Sequence, residues 1–425
     1  MKKKKASLVR RITEFLRTSV ICGPLDHNLF FTIIFLNVYG IIMVYSASYN
    51  NSITKNYSYF MNNQLKNVIF GFIIMIIASY INYHRIVRFG WGWFWLFLAV
   101  CIIAALKTPL AHSELGATRW IKLGSISFQA AEPIKAAIII FFAYYVSYWG
   151  LNRWYNQVLA CLLAIALLGF LFFFSNNLST VIVLFCICAV IILSSVKKPD
   201  LYWYFLIGLA LVIIAAIFVT VYLLMHQGAE NFRFVRIRAW LHPEEYAADE
   251  GLQAMQARYA IGAGGFWGKG LGQSLIKFKL SYSYNDFILA IICEELGVFG
   301  VIVMMTLFGY LLYRIYKIAQ NAWDIEGKVL AIGVFTQIAL QLLINVMVVT
   351  SVIPTTGVTL PFFSAGGTSV VFLLAELGMV LNVDKYAKER RFFEEAERHV
   401  AQMEQRGGIG AAGWRRRLDS ARTHR

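Results

Sequence analysis

Apolar residues run along this chain in blocks of about twenty, separated by short polar or basic stretches. Blocks of that length cross a bilayer as helices. Ten are legible, at about 29–48, 67–82, 91–106, 133–150, 156–174, 178–195, 201–225, 286–313, 328–350 and 368–384. The fifth and sixth are divided only by SNN at 175–177, which predicts a tight hairpin. The pattern therefore predicts an all-α, polytopic membrane protein of about ten transmembrane helices, with one large loop, about 226–285, between helices 7 and 8.

Composition agrees. Of 425 residues, 59% are hydrophobic and 15% charged, against about 45–50% and 25% in a soluble domain. The net charge of +16 would suit nucleic acid. Its cations, however, gather in MKKKK at the N-terminus, in short loops and in the tail after Lys385, which is how membrane proteins hold their cytoplasmic ends. Nucleic-acid binding is not expected. An even number of spans puts both termini in the cytoplasm and the loops 49–66, 107–132, 226–285 and 351–367 outside. Three parts follow: a basic N-terminal segment (1–28), a transmembrane domain (29–385) and a charged cytoplasmic tail (386–425). The first apolar block begins too far in, and is too long, for a cleaved signal peptide. Five of the six cysteines lie in apolar runs, and neither they nor the seven histidines fall at disulfide or metal-ligand spacing.

Charge inside the apolar blocks carries the candidate chemistry. YSYNDFILAIICEELGVFG (282–300) holds Asp286, Glu294 and Glu295. A carboxylate at mid-bilayer costs about 2.5–3.5 kcal/mol, so such groups face protein or a wet cavity. Asn285 and Asp286 could simply cap the eighth helix. Alternatively Asp286, facing a loop rich in cations, is a candidate general base. Glu294 lies about 80° around the helix from Asp286 and Glu295 lies nearly opposite it, so both need partners on other segments. Glu132 and Lys135 are three apart across Pro133, on one helical face. They either shape a helix start or line a cavity. The outer loop carries Arg233, Arg236, Arg238, Arg258, Lys269, Lys277 and Lys279, a solvated surface or a cationic site for a phosphate-bearing ligand. GAGGFWGKGLG (262–272) departs from the ATP-binding glycine loop, with Ala263 and Gly270 where glycine and Ser or Thr belong. Its glycines suit tight turns against a ligand or the bilayer rim. SVIPTTGVTLPFFSAGGTS (351–369) is uncharged and too rich in Pro and Gly for a helix. It reads as a re-entrant or rim segment able to pack against a lipid tail.

Four stretches in order, ATRWIKLGSISFQAAEPIK, the run from RFVRIRAWLHPEEY to GKGLGQS, NDFILAIICEELGVFG and IPTTGVTLPFFSAGGTS, resemble the motifs of the shape, elongation, division and sporulation (SEDS) family. The resemblance covers about 29–384. NVMVVTSVIPTTGVTLPF and EGLQAMQARYAIGAGG are more similar to its division and sporulation (FtsW-like) branch than to its elongation (RodA-like) branch. It implies a peptidoglycan glycosyltransferase that polymerises lipid II, an undecaprenyl-pyrophosphate disaccharide-pentapeptide, at the outer face of the cytoplasmic membrane. The partners it implies are a class B penicillin-binding protein that crosslinks the glycan and other division proteins. It also implies that Asp286 is the essential catalytic aspartate and that Arg236 and Arg233, with Lys277, contact the substrate diphosphate. The same resemblance places Arg119 of the R-W pair, Glu132 and Lys135 in the substrate site. No cofactor is evident, though a divalent cation could share the diphosphate. QAAEP stands where relatives carry Q-P-S-E, SAGGT stands for S-Y-G-G-S, and a Pro-Glu before the aspartate is missing. Two rival readings use the same residues: a lipid II flippase, and a non-catalytic division scaffold.

Overall fold

The computed structural model describes residues 24–48, 59–109, 111–114, 117–123, 126–175, 177–196, 232–246, 250–278, 285–365 and 367–405. The chain enters through α1 (His27–Ser48), α2 (Tyr59–Tyr80), the short α3 (Tyr83–Val87), a 3-10 turn (Phe89–Gly92) and α4 (Trp93–Ala105). A small sheet then precedes α5 (Ala131–Trp149), α6 (Trp154–Ser175) and α7 (Leu178–Ser195). The later elements are α8 (Phe232–Leu241), α9 (Glu250–Gly264), a 3-10 turn (Ile276–Phe278), α10 (Ile288–Gln320), α11 (Ile325–Val349) and α12 (Thr368–Gln405). Nine of the ten expected spans fall in these helices. The seventh, 201–225, lies outside the described residues, as do the basic N-terminal run and the end of the tail.

Six of the helices, α1, α2, α6, α7, α10 and α11, are long and apolar enough to cross a membrane. Their faces show why. On α1, Leu29, Ile33, Leu36 and Met43 are buried, while Phe31, Phe35, Val38 and Ile42 on the opposite face are exposed. A helix apolar on both faces buries one in protein and offers the other to lipid. This is a multi-pass membrane protein.

Close helix packing rests on small residues, as expected where lipid supplies no hydrophobic contrast. A Cβ on Gly378 of α12 would lie 2.5 Å from the Met75 carbonyl of α2, and one on Gly71 of α2 would lie 2.6 Å from Leu374. α11 sits at the centre, packed by α5, α7, α10 and α12, and it buries Gln337, Gln341 and Asn345.

Several expectations need amendment. The segment 107–132 is no plain loop: β1 (Ala111–Glu114), β2 (Ala117–Leu123) and β3 (Ile126–Gln129) form an antiparallel sheet in that order. Trp120 pairs with His112 and Gln129. The alternation of buried Ile121 with exposed Lys122 is the period-two pattern of a strand. The expected outer loop 226–285 carries two helices, α8 and α9, among its described residues. The tail starts inside a helix: α12 runs unbroken through 385–386 to Gln405. Finally, Asn285 and Asp286 do not cap α10. The cap position is Phe287, with no side-chain cap hydrogen bond.

α10 is 33 residues long, about 50 Å, and the hydrocarbon core is about 30 Å. Its exposed apolar residues start at Val298 and include Ile302 and Tyr316, a stretch of about 27 Å. The turns before Gly297, carrying Glu294 and Glu295, are wrapped in protein. Gly297 breaks the helix (φ 65°, ψ −163°), a conformation open essentially to glycine alone.

Candidate active site

The glycine-rich loop explains two of the three carboxylates. Past Gly264, the chain turns through Gly265, Gly268, Gly270 and Gly272, all with positive φ, and lies on the break in α10. The N–H groups of Lys269 and Gly270 donate to the carbonyls of Glu294 and Glu295, each at 2.9 Å. Those of Val298 and Phe299 donate back to Gly265 and Phe266 at 3.1 Å. The approach is too close for side chains. A Cβ on Gly264 would meet the Cys293 carbonyl at 1.8 Å, and one on Gly268 the Glu295 carbonyl at 2.2 Å.

Both glutamates are fully buried and are satisfied by the chain from Lys269 to Lys277 and by Ser46 of α1. Glu294 accepts from Lys269 Nζ at 2.7 Å, from Ser274 Oγ and from the N–H groups of Leu275 (3.2 Å) and Ile276 (3.3 Å). Glu295 accepts from Ser46 Oγ at 2.5 Å and Ser274 N–H at 3.3 Å, and it lies 3.6 Å from Lys277 Nζ. Lys277 also donates to the carbonyls of Gly272 (2.7 Å) and Ser46 (3.3 Å). The structure thus places Lys277, expected on the diphosphate, buried in the wall beneath the glycine loop.

Asp286 is positioned by a different loop, 351–367. Buried Asn345 of α11 donates through Nδ2 to the carbonyls of both Asp286 and Val358, each at 2.9 Å. Ser364 Oγ donates to the Asn285 carbonyl at 2.8 Å and accepts from Leu360 N–H at 2.8 Å. The head of α10 is therefore tied to this loop at two points. α8 meets the same loop: Arg236 Nη1 reaches the Thr355 carbonyl at 3.4 Å and Trp240 Nε1 the Ser351 carbonyl at 2.9 Å. From α7, Ser179 Oγ donates to the Thr356 carbonyl at 2.8 Å.

The second half of this loop is anchored in protein, while Val352 near its start is exposed. Leu360, Phe362 and Phe363 are buried. Phe363 meets Tyr39 edge-on at 5.1 Å and Phe308 at 5.8 Å. Gly40 of α1 leaves the space that the Phe362 backbone fills, since a Cβ there would lie 2.3 Å from its carbonyl.

Beneath the loop lie two small polar cavities. One, of about 30 Å³, is lined by Glu132, Lys135, Asn177, Ser179, Gln341 and Thr359, among others. The other, of about 20 Å³, shares Glu132, Gln341 and Thr359 and reaches Ser364. Each has room for about one water. Glu132 and Lys135 form a buried ion pair at 2.9 Å in the first turn of α5. The expected residues thus separate into two groups. Asp286, Arg236, Glu132 and Lys135 gather around one loop, while Lys277 belongs to the glutamate cluster. Arg233 lies three residues before Arg236 in the first turn of α8 and Arg119 lies on β2; only their backbone is described.

The profile of the cell cycle protein family of FtsW, RodA and SpoVE matches residues 26–389. This chain belongs to that family. Among its FtsW/RodA/SpoVE relatives, the probable peptidoglycan glycosyltransferase FtsW of Trichlorobacter lovleyi is 33% identical over 87% of this chain and 96% of its own. Stage V sporulation protein E of Bacillus subtilis is 34% identical over 84% and 96%. These names belong to the division and sporulation side of the family, as the sequence motifs imply. The fold is shared with a chain of a solved peptidoglycan synthase complex described as coordinating polymerization and crosslinking. The TM-score is 0.71, with 21% identity, covering 86% of this chain and 98% of that one.

Sequence reasoning missed Asn345 and Ser364, which hold the aspartate's helix to its loop, because an Asn in an apolar block has many uses. It also passed over Glu376, buried on α12 and bonded by Gln337 Nε2 at 2.8 Å. A glutamate inside LLAELGM is the same signal that drew attention to Glu294.

Proposed function

We propose that this chain is a peptidoglycan glycosyltransferase that polymerises lipid II at the outer face of the cytoplasmic membrane during septal wall synthesis. One observation carries the reading. The helix head bearing Asp286 and the helix bearing Arg236 are tied to the same loop, over cavities lined by Glu132 and Lys135. Bringing an acid-bearing helix head and a cation-bearing helix to one loop supports the reading, because transfer of a sugar from a diphosphate needs both groups.

In the proposed reaction, the acceptor's sugar 4-hydroxyl attacks the donor's anomeric carbon from the face opposite the leaving group. A C–O bond forms, the bond to the lipid diphosphate breaks, and the configuration inverts. Asp286 takes or positions the hydroxyl proton. Arg236, with Arg233 one turn earlier, stabilises the charge that builds on the departing diphosphate. Glu132 and Lys135 hold the cavity polar, and Arg119, carried by β2, joins them in binding the substrate. A divalent cation sharing the diphosphate would lean on the substrate's own oxygens, since among the described residues no three metal-ligating side chains gather.

The topology that goes with this reading has ten spans, including 201–225, with both termini in the cytoplasm. The partner is a class B penicillin-binding protein, whose transpeptidase would crosslink the emerging strand. Labelled lipid II given to the purified chain, with and without that partner, tests the reading. A glycan ladder supports it. Absence of polymer under both conditions, together with lipid II transfer between leaflets of a vesicle, would replace it with a flippase.

A further inference from the structure

A third and much larger cavity, of about 560 Å³, lies at the other end of the helices, where α3, the 89–92 turn, α5 and the start of α11 meet. Pockets that hold small ligands run about 300–1,000 Å³. It is lined by Arg88, Trp91, Tyr144, Ser147, Tyr148 and Glu326. None of these serves the site around Asp286.

The turn is built to present an aromatic. Gly90, Trp91 and Gly92 all have positive φ, at 60°, 60° and 76°. Such a conformation is uncommon for a bulky residue and points from strain toward use. Gly92 seats the turn directly on Tyr144, where a Cβ would lie 2.0 Å from the ring. Trp91 is thereby thrown outward, 82% exposed. The rings of Tyr144 and Tyr148 stack beside it, 5.5 Å apart and inclined by 12°. Phe89, Trp149 and Trp154 are exposed at the same end of the molecule, the signature of an interfacial aromatic belt. The cavity therefore sits level with lipid headgroups.

Its charges are of both signs. Glu326 is buried, and its Oε1 accepts from Arg88 Nε at 2.9 Å and Ser147 Oγ at 2.9 Å. Its Oε2 has no hydrogen-bond partner among the described residues, the His84 ring nitrogen standing off at 3.7 Å. Arg88 is 62% exposed and, among the described residues, none accepts from its Nη1. A carboxylate behind the exposed rings of Trp91 and Tyr148 attracts an ammonium. A guanidinium edge left open at the rim recognises a phosphate oxygen. The Glu326 Oε2 acceptor is recessed, with almost no surface of its own, so a primary ammonium, which carries N–H groups and no methyls, can approach it more closely than a quaternary one.

We propose that this cavity binds the zwitterionic headgroup of an aminophospholipid, phosphoethanolamine, with its ammonium among Trp91, Tyr144, Tyr148 and Glu326 and its phosphate on Arg88. The site requires only that the chain be a membrane protein, and so it stands apart from the polymerase reading. Native mass spectrometry of the purified full chain, titrated with phosphatidylethanolamine, phosphatidylglycerol or phosphatidylcholine, tests it. The expected result is one retained phosphatidylethanolamine, held about fivefold or more tighter than either other lipid. Trp91→Ala and Tyr148→Leu, both at exposed positions, should abolish that preference while leaving the melting temperature unchanged, and Arg88→Gln should do so through the phosphate. Equal retention of the three lipids would overturn the proposal. So would a preference that survives in the well-folded Trp91→Ala and Tyr148→Leu proteins, since that lipid would be merely annular.

Discussion

Two buried ion-pair clusters, one under the glycine-rich loop and one under the 351–367 loop, differ in their surroundings. Glu294 and Glu295 with Lys269 and Lys277 are closed off by backbone N–H groups, serines and glycine turns. Glu132 with Lys135 is equally buried but borders cavities with room for water. The chemistry is the same and the surroundings differ. Where backbone donors fill the remaining lone pairs, the charges staple one segment to another. Where a polar hollow remains, they can meet a substrate. Burial alone does not separate structure from function; the nearby volume does.

That contrast can be broken by substitution. The largest loss of stability is expected for Glu295→Ala, which strands Lys277 in a closed site. Removing one partner of a buried pair costs about 3–5 kcal/mol. The purified yield and melting temperature should fall sharply, whereas Lys277→Met combined with Glu295→Leu should recover much of the loss. Retention of wild-type melting by the single variant would show that the cluster is not a staple.

Next comes Gly297→Ala. Its conformation costs about 1–3 kcal/mol for a residue with a side chain, and the new Cβ would fall 2.4 Å from the Gly268 nitrogen. The glycine loop should detach, which limited proteolysis after Lys269 would detect. An uncleaved loop would contradict the packing described.

Glu132→Gln sharpens the comparison from the other side. Water in the adjoining cavity can solvate Lys135, so the loss of stability should be smaller, about 1–2 kcal/mol. Polymerising activity should nonetheless fall about tenfold or more, equivalent to about 1.4 kcal/mol in the barrier. A variant as unstable as Glu295→Ala would erase the distinction.

The smallest effect lies at the far end. Asp324 caps α11, accepting from Gly327 N–H at 2.8 Å, His84 Nε2 at 2.5 Å and Tyr83 Oη at 2.7 Å. Burial pushes its carboxyl up, but the hydrogen bonds from His84, Gly327 and Tyr83 outweigh it and hold the group below its ordinary value. A depressed carboxyl stabilises the fold above the unfolded value of about 3.9 and loses that contribution as pH falls through its folded value. Melting temperature in detergent should therefore drop more steeply below about pH 4 in the wild type than in Asp324→Asn. Parallel curves would count against the pairing.

Much of this was legible in the residues. Block length marked nine of the described helices, and the cost of burying Glu294 and Glu295 required partners on other segments. Pro133 fell, as expected, in the first turn of α5. The sheet at 111–129 was missed because its strands are only four to seven residues long, too short to stand out between apolar blocks. The fate of Lys277 was hidden for another reason. Sequence shows that a loop is cationic but not which cations fold back onto buried carboxylates. Asn345 and Ser364 act through contacts 59 and 79 residues away, and no local pattern records them.

The central claim is that Asp286, tied like Arg236 to the 351–367 loop, performs the chemistry while Glu294 and Glu295 only hold the fold. The direct test is polymerisation of labelled lipid II by wild type and by Asp286→Asn, both purified with the transpeptidase partner and matched for melting temperature. The account predicts a glycan ladder from the wild type and none from the equally stable variant. A ladder from Asp286→Asn would remove that carboxylate from the mechanism and contradict the account.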